Sequence, residues 1–575
     1  MSRDGVDRRD FLKAAGGAAA TASIAGCSGN GNGDGNGNGG GGNGNGGGGN
    51  GNGGGDGGQT LVYARGDHPE NYGPQQTTSG EVAKVTNQMF DTLIQFEAGS
   101  GGALEEGLAS DWSLEGQSVT LTLKEDITFH NGENFTAEDF KSTFRRFTDE
   151  EYEYYLGNDN RSGYGPFTLG NWVESVDASD DYEMELSLTQ EYAPMLRNLA
   201  MFASAVLSKA QIESLDDQIE LGTEPIGTGP FEFDSLNNSD QRVRLAANDD
   251  FWGPGPNVDE VVFKTVTQNS TRVQEVINGS SHITDNLDAD GFQEAQDAGS
   301  AELQRKNGIN QGYMAMNMAR KEEFRDRNVR LAVSYAVNTE VIVNDIYQGF
   351  AAQSDQPTPP DVTGHNDDLE PYPTDKEQAE ELLAEAGYED GFEMELATFS
   401  NPRGYNPSPI QTANQVKSDL EDIGLTVNIN QFEEFTPYLS YTSEGRHDAC
   451  FLGWYTDNAD PDNFLYVLCD PKVDIEDVPD GQDWVSFDTE GYSTLNVSGW
   501  ANTEFMEMVR DAQGTYDNDE RESTYKEANK LVHDEAPWVF IDYAETLRAV
   551  NEQVVADSYT VSSVGGPYLN TVELQ

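Results

Sequence analysis

Ala449-Cys450-Phe451-Leu452-Gly453-Trp454-Tyr455-Thr456-Asp457-Asn458-Ala459-Asp460-Pro461-Asp462-Asn463-Phe464 is the stretch on which the reading of this chain turns. Its first four residues are an apolar run of strand type. Gly453-Trp454 then leads into a segment carrying the carboxylates Asp457, Asp460 and Asp462. A loop that leaves a rigid strand is where binding groups are usually carried, because the strand fixes the loop's position while its sequence is free to vary. In isolation, Asp460-Pro461 also reads as an Asx turn that starts a helix, packed under one tryptophan.

Working outward, Thr60-Leu61-Val62-Tyr63-Ala64 reads as an opening strand, Glu81 to Phe96 as a helix and strand, and Ser118 to Leu123 as an alternating strand. The run from Phe129 to Phe140 turns into a helix with Thr136 as N-cap and Asp139 three residues on. Phe140, Phe144 and Phe147 then share one face. The alternation continues through Glu183 to Leu188, Phe231 to Phe233, Val258 to Val266, Val329 to Ile346, Lys376 to Ala386, Met394 to Thr398, Ile410 to Ile423 and Leu425 to Ile429. This is a mixed α/β pattern. At 575 residues the chain exceeds what one core serves, so about two or three lobes are expected. Internal repeats of the solenoid or propeller kind are not visible.

The charge balance is extreme: 34 Lys+Arg against 102 Asp+Glu, a net charge of -68, with a pI near 4.1. The acidic residues are interleaved with Val, Leu, Tyr and Phe, so a disordered acidic tail does not explain them. A folded protein with this self-repulsion needs screening, and molar salt shortens the Debye length to roughly 3 Å. The composition resembles that of an extreme halophile protein. It argues against nucleic acid or anionic lipid as partners of the folded surface.

The N-terminus reads as an address. Asp7-Arg8-Arg9-Asp10-Phe11-Leu12-Lys13 resembles a twin-arginine export motif centred on Arg8 and Arg9, and Ala14 to Ala25 is a weakly apolar run too short to span a bilayer. Ser23-Ile24-Ala25-Gly26-Cys27 resembles a lipobox with Cys27 as the lipidated first residue of the mature protein. Together these three features resemble a haloarchaeal-type Tat lipoprotein leader over residues 1–27. Residues 28–58 are almost purely Gly and Asn with two Asp, a flexible tether of roughly 30 Å. Gly-x-Gly-x-x-Gly matches inside it are accidents of composition, since no strand precedes and no helix follows.

Cys450 and Cys469 are the cysteines of the body. They are free to pair in an oxidising compartment or to stay as buried thiols, and the sequence leaves both open. Asn134, Asn237, Asn269, Asn278 and Asn496 head Asn-x-Ser/Thr sequons. The spacing of Asp457, Asp460 and Asp462 fails the EF-hand pattern, with Ala459 at its third position. His-Glu-x-x-His, Gly-x-Ser-x-Gly and P-loop patterns do not occur. Neither a metal nor a cofactor is expected.

These landmarks together resemble the peptide/nickel-type substrate-binding proteins of ABC importers, solute-binding protein family 5, and most of all the bacterial dipeptide-binding proteins. The resemblance runs in order over essentially all of residues 60–575. It rests on Asn131-Gly132 with Thr136-Ala137-Glu138-Asp139-Phe140, on Pro225-Ile226-Gly227-Thr228-Gly229-Pro230-Phe231, and on Asn248-Asp249-Asp250-Phe251-Trp252. It rests further on Val329-Arg330-Leu331-Ala332-Val333-Ser334-Tyr335-Ala336-Val337-Asn338, on Ile346-Tyr347-Gln348-Gly349, and on the Gly453–Phe464 segment. The resemblance implies a two-lobed α/β fold of periplasmic-binding-protein type (class II, cluster C) with an extra subdomain in the N-terminal lobe. Lobe I would comprise 59–100, 223–316 and 549–575, the inserted subdomain 101–222, and lobe II 317–548. The chain would cross between lobes near Gln311–Asn317 and near Thr546–Gln553.

A zwitterionic peptide in a water-poor cleft needs a carboxylate for its amine and a cation for its own carboxylate. The resemblance implies Asp457 for the first and Arg403, in Asn401-Pro402-Arg403-Gly404-Tyr405-Asn406-Pro407, for the second. A guanidinium suits this task because its planar fork binds a carboxylate bidentately and stays charged. Tyr405 would line the pocket, Trp454 would pack on the peptide, and Thr78, Ser79 and Gly80 would lend hydrogen bonds from the other lobe. Without the resemblance, Arg403 reads as a surface ion pair, Trp454 as core filling and Ser79 as a helix cap. The implied protein is a monomer on the extracellular face of the membrane, exported by the Tat pathway and held by its lipid. It would capture dipeptides or short peptides for ABC permease subunits and do no covalent chemistry. An oligopeptide, a sugar oligomer, nickel or haem are the alternatives within the family. A secreted hydrolase using two carboxylates is the alternative outside it.

Overall fold

The computed structural model describes residues 58–400 and 403–575, so Arg8, Arg9 and Cys27 lie outside the described residues. One twelve-stranded sheet runs through both halves of the molecule. Six of its strands position the site: β1 (Thr60–Arg65), β2 (Ala301–Asn307), β3 (Asn310–Met316), β4 (Glu393–Phe399), β5 (Ala449–Tyr455) and β6 (Trp538–Asn551). In one half, β1 pairs in parallel with Glu260–Thr265 and Ile283–Thr284. In the other, β4 pairs in parallel with Thr426–Phe432 and β5, and β5 is antiparallel to β3.

The halves are joined by the longest strand. Trp538–Asp542 of β6 pairs with β3, whereas Glu545–Asn551 pairs with β2. All seven residues of β3 are buried, as are the first seven of β6, which accounts for runs that are apolar without alternation. The change of partner falls between Asn307, the end of β2, and Asn310, the start of β3, and between Asp542 and Glu545 within β6. Two side-chain features pin it. Asn310 exchanges two 2.8 Å hydrogen bonds with the backbone of Ala544. A Cβ on Gly308 would sit 2.0 Å from the Ala544 carbonyl oxygen, so the strands approach closely enough there to require glycine.

Each half has its own core. Leu61, Tyr63, Val82, Val85, Val261 and Phe263 belong to the first, and Met314, Leu396, Val416, Phe451, Phe464 and Trp538 to the second. Within 101–222, an antiparallel sheet of Ala109–Glu115, Ser118–Leu123, Glu183–Leu188 and Val173–Asp177 buries one face and leaves the other in solvent, hence its alternating sequence. The Ala137–Thr148 helix carries a capping box in which Thr136 and Asp139 satisfy each other's backbone. Phe140, Phe144 and Phe147 of that helix are buried. Most of this unit packs into the core of the second half, while Leu207, Ile212 and Leu221 pack into that of the first.

The Val329 to Ile346 stretch is less regular than its apolar pattern. The Arg327–Ala336 helix stops, and a short turn, Thr339–Val341, follows. Asn338 breaks it by capping Val341 with its side chain while its backbone N–H goes to Asp419. Cys450 and Cys469 are free, buried thiols. The Asn496 sequon is fully buried, with its amide committed to the Cys469 and Trp500 carbonyls at 2.8 Å each, so the folded chain cannot offer it for modification. Among the described residues no helix is long and apolar enough to cross a membrane.

Candidate functional site

The site is built on the end of β5 and on the loop that carries Arg403. Gly453 faces Gly312 across the β5–β3 pair, and Gly312 faces Asp542 on β6, so two glycines make a shallow floor between adjacent strands. Tyr405 fills it. A Cβ on Gly453 would lie 2.2 Å from the Tyr405 ring, and one on Gly404 would lie 1.8 Å from the Tyr455 hydroxyl. The Arg403 loop and the Gly-Trp strand end therefore meet in direct contact, which gives the Gly453-Trp454 pair its physical reason.

Arg403 is buried. It exchanges two 2.9 Å backbone hydrogen bonds with Asn406, and its guanidinium lies 3.8 Å from the Phe435 ring centroid, a cation–π contact. Burial lowers its pKa from the usual arginine value. The Tyr405 phenol is pushed up, first by burial. Trp454 is half-buried and donates from Nε1 to Asn463 Oδ1 at 2.6 Å.

Asp457 follows on a loop whose root is tied to the crossing point, since Thr456 N–H donates to Ile309 O at 3.2 Å. The loop holds itself through nested turns: Thr456 Oγ1 accepts from Asn458 and Ala459, and Asn458 Oδ1 accepts from Asp460. Asp460 caps the short helical turn Pro461–Asn463, so the Asx-turn reading of Asp460-Pro461 and the site reading describe the same loop. Arg521 grips Asp460 with two bonds of 3.0 and 2.7 Å. Burial raises the Asp460 carboxyl, but Arg521 and Arg197 outweigh it and hold the pKa below the usual carboxylate value.

Residues 457–460 also meet the 101–222 segment. The Tyr164 hydroxyl donates to Asp457, and the Asn458 amide donates to Asn198 Oδ1 at 3.0 Å. Ala459 abuts Gly102, where a Cβ would lie 2.3 Å from the alanine methyl. Arg197 Nε lies 3.7 Å from Asp460. Burial pushes the Asp457 carboxyl up to about 6, and the Tyr164 hydrogen bond opposes that rise. Tyr164, Arg197, Asn198 and Arg521 were not legible in the sequence. The aromatic between two glycines in Gly163-Tyr164-Gly165 is the one local signal that pointed to any of them.

Thr78, Ser79 and Gly80 lie in the other half, where Ser79 caps the Gly80–Met89 helix by accepting from Glu81 N–H at 3.3 Å. Space around Gly80 is open. Asp542 is buried beside Gly312, and neither of its oxygens finds a hydrogen-bond partner among the described residues. Burial pushes its carboxyl well above the usual range.

The sequence and fold are similar to those of known proteins. The family model for bacterial extracellular solute-binding proteins, family 5 Middle, matches residues 103–474. The chain belongs to that family. It is 28% identical over 533 residues to the dipeptide-binding protein of Escherichia coli, covering 90% of this chain and 95% of that one. It is 28% identical over 501 residues to heme-binding protein A of Haemophilus influenzae, covering 84% and 86%. Its fold matches the ABC transporter-associated periplasmic binding protein of Helicobacter pylori solved with the peptide STSA. That match has a TM-score of 0.72 and 30% identity over 90% of this chain and 98% of that one. The architecture is thus the two-lobed fold of family 5 periplasmic binding proteins.

Proposed function

We propose that the chain is the substrate-binding component of an ABC importer and captures dipeptides or short peptides between its lobes, without covalent chemistry. The observation that carries this reading is the direct contact between the Arg403 loop and the strand that leads to Asp457, through Tyr405 on Gly453 and Gly404 on Tyr455. It brings a cation-bearing loop and a carboxylate-bearing loop together on one sheet end, the arrangement a zwitterion requires. The names of the E. coli and H. pylori relatives support a peptide ligand. Asp457 takes the amine, Arg403 the carboxylate, Tyr405 and Trp454 line the cleft, and Thr78, Ser79 and Gly80 add hydrogen bonds from the opposite lobe.

In this reading lobe I is 59–100, 223–309 and 545–575, lobe II is 310–544, and 101–222 is the inserted subdomain. The lobe I bounds 223–316 and 549–575 and the crossings expected near Gln311–Asn317 and Thr546–Gln553 shift by a few residues, because β3 pairs with β5 and Glu545–Asn551 with β2. Closure turns on β2–β3 and β6, and ligand contacts to both lobes stabilise the closed state. The protein is an extracellular monomer exported through Arg8-Arg9 and held to the membrane by lipid on Cys27. Its net charge of -68 suits concentrated salt. A thermal-shift screen of a dipeptide library in concentrated salt, with hemin and Ni²⁺ in the same plates, tests the ligand class. Stabilisation by free dipeptides supports the reading, and stabilisation by hemin or Ni²⁺ alone contradicts it. For the anchor, Cys27→Ser is expected to release a ligand-competent protein into the medium, and retention in washed membranes contradicts it.

A further inference from the structure

A cavity of about 60 Å³ lies beside the Arg403 loop. Its wall includes Phe435 and Leu439 of the Phe435–Ser443 helix, Leu452 and Trp454 of β5, Tyr405 of the Arg403 loop, and Leu495. Phe435 and Leu439 share a helix face at i, i+4 spacing. Among the described residues, none that lines the cavity is charged.

Its position relative to the two charged groups is unequal. The Phe435 ring, part of the wall, is the ring over which the Arg403 guanidinium sits at 3.8 Å. The aromatic residues around Asp457 are different ones: Tyr164, which bonds it, packs against Phe167 and Phe202, and none of the three lines the cavity. The space therefore adjoins the cationic end of the site. We propose that this cavity is the side-chain subsite for the peptide's C-terminal residue and that it selects leucine-sized apolar side chains. The inference rests on the reading of Arg403 as the holder of the peptide carboxylate.

Size and chemistry both follow from the wall. One water needs roughly 10–15 Å³ of such space, so the cavity takes on the order of four non-hydrogen atoms, the size of a leucine, isoleucine or methionine side chain. Each buried methylene strengthens binding about fourfold, so a C-terminal Leu gains on the order of 50-fold over Ala. A C-terminal Asp would have to bury its side-chain carboxylate with no cation in the wall, which is penalised.

Calorimetry on the full chain in concentrated salt with Ala-Ala, Ala-Leu, Leu-Ala and Ala-Asp tests this. Ala-Leu is expected to bind on the order of 50-fold tighter than Ala-Ala, and Ala-Asp more weakly than Ala-Ala. Leu495→Trp, which fills the cavity from a half-buried loop position, is expected to erase the Ala-Leu gain while Ala-Ala still binds. As a second variant, Leu495→Ala is expected to admit Ala-Phe, which the parent binds less well than Ala-Leu. Equal binding of Ala-Leu and Ala-Ala by the parent overturns the inference and leaves the two-ended clamp standing. A gain for Leu-Ala in place of Ala-Leu overturns the assignment to the C-terminal residue. Failure of all four dipeptides to bind overturns this inference and the peptide reading together.

Discussion

The Tyr164 hydroxyl donates a hydrogen bond to the Asp457 carboxylate across 293 positions of sequence. It joins the 101–222 segment to the loop after β5, so the residue read as the amine anchor is also a contact between the inserted unit and the second half. The neighbouring residues Asn458, Ala459 and Asp460 make contacts to the same unit. Positioning of the anchor and docking of the inserted unit are thus one structural event.

Peptide binding should depend on pH through Asp457, whose carboxyl is pushed up to about 6, first by burial. A cationic amine binds the ionised form. Affinity is therefore full above about pH 6 and falls about tenfold per unit as the pH drops below it. The Tyr164 hydrogen bond lowers this pKa, so Tyr164→Phe should move the midpoint upward. Calorimetry between about pH 4.5 and about pH 8 measures both midpoints, and a variant midpoint at or below the parent's contradicts the account.

Gly453→Ala places a methyl where the Tyr405 ring lies, 2.2 Å from the nearest ring carbon. The ring is buried and must shift to admit the methyl, so overpacking of about 1–3 kcal/mol is expected, together with weaker peptide binding through the displaced Arg403 loop. Denaturant unfolding and calorimetry on the same sample check both. A variant with parental stability and affinity would show that the glycine is not needed for this approach.

Asp460 and Arg521 form a buried ion pair, with side chains 1% and 10% exposed. Removing Arg521 leaves the buried Asp460 carboxylate with only the more distant Arg197, 3.7 Å away, so Arg521→Met is expected to cost about 3 kcal/mol. Adding Asp460→Asn should recover part of that loss, because the buried charge that lost its two-bond partner is gone. Additive losses in the double variant would contradict a direct pairing.

Lowering salt lengthens the Debye length from about 3 Å at 1 M to about 10 Å at 0.1 M, and the net charge of -68 then repels itself. Cooperative loss of near-ultraviolet circular dichroism on dilution is expected, partly reversed by ligand. An unchanged spectrum at about 0.1 M salt would remove the reason given for the acidic composition.

The sequence disclosed those parts of the molecule that are written locally. The Thr136–Asp139 capping box, the alternating Ser118–Leu123 strand and the helix beginning at Ser79 each depend on residues a few positions apart, and each stands in the structure. The crossing strand β6 did not stand out, because a strand buried on both faces shows no alternation and its two partners are far away in sequence. The roles of Gly308 and Asn310 follow only from the approach of Ala544. Tyr164 and Arg197 reach the loop after β5 through tertiary packing, which no local pattern encodes. Burial was equally hidden: Asn496 reads as a sequon like the other four, yet lies fully inside.

The central claim is that Asp457 and Arg403 hold the two ends of one peptide. An extended chain advances roughly 3.3–3.6 Å per residue, so adding one residue moves the peptide carboxylate by more than a charge-assisted hydrogen bond tolerates. Leaving one buried charge without its partner typically costs about 2–5 kcal/mol, about 30- to several-thousand-fold in affinity. The decisive measurement is calorimetry in concentrated salt of a free dipeptide and its N-acetylated and C-amidated analogues against the parent, Asp457→Ala and Arg403→Ala. The account predicts that the parent discriminates against both analogues, that Asp457→Ala loses discrimination against acetylation alone, and that Arg403→Ala loses discrimination against amidation alone. If Asp457→Ala rejects the acetylated dipeptide as strongly as the parent does, the amine is held elsewhere and the assignment of the site is wrong.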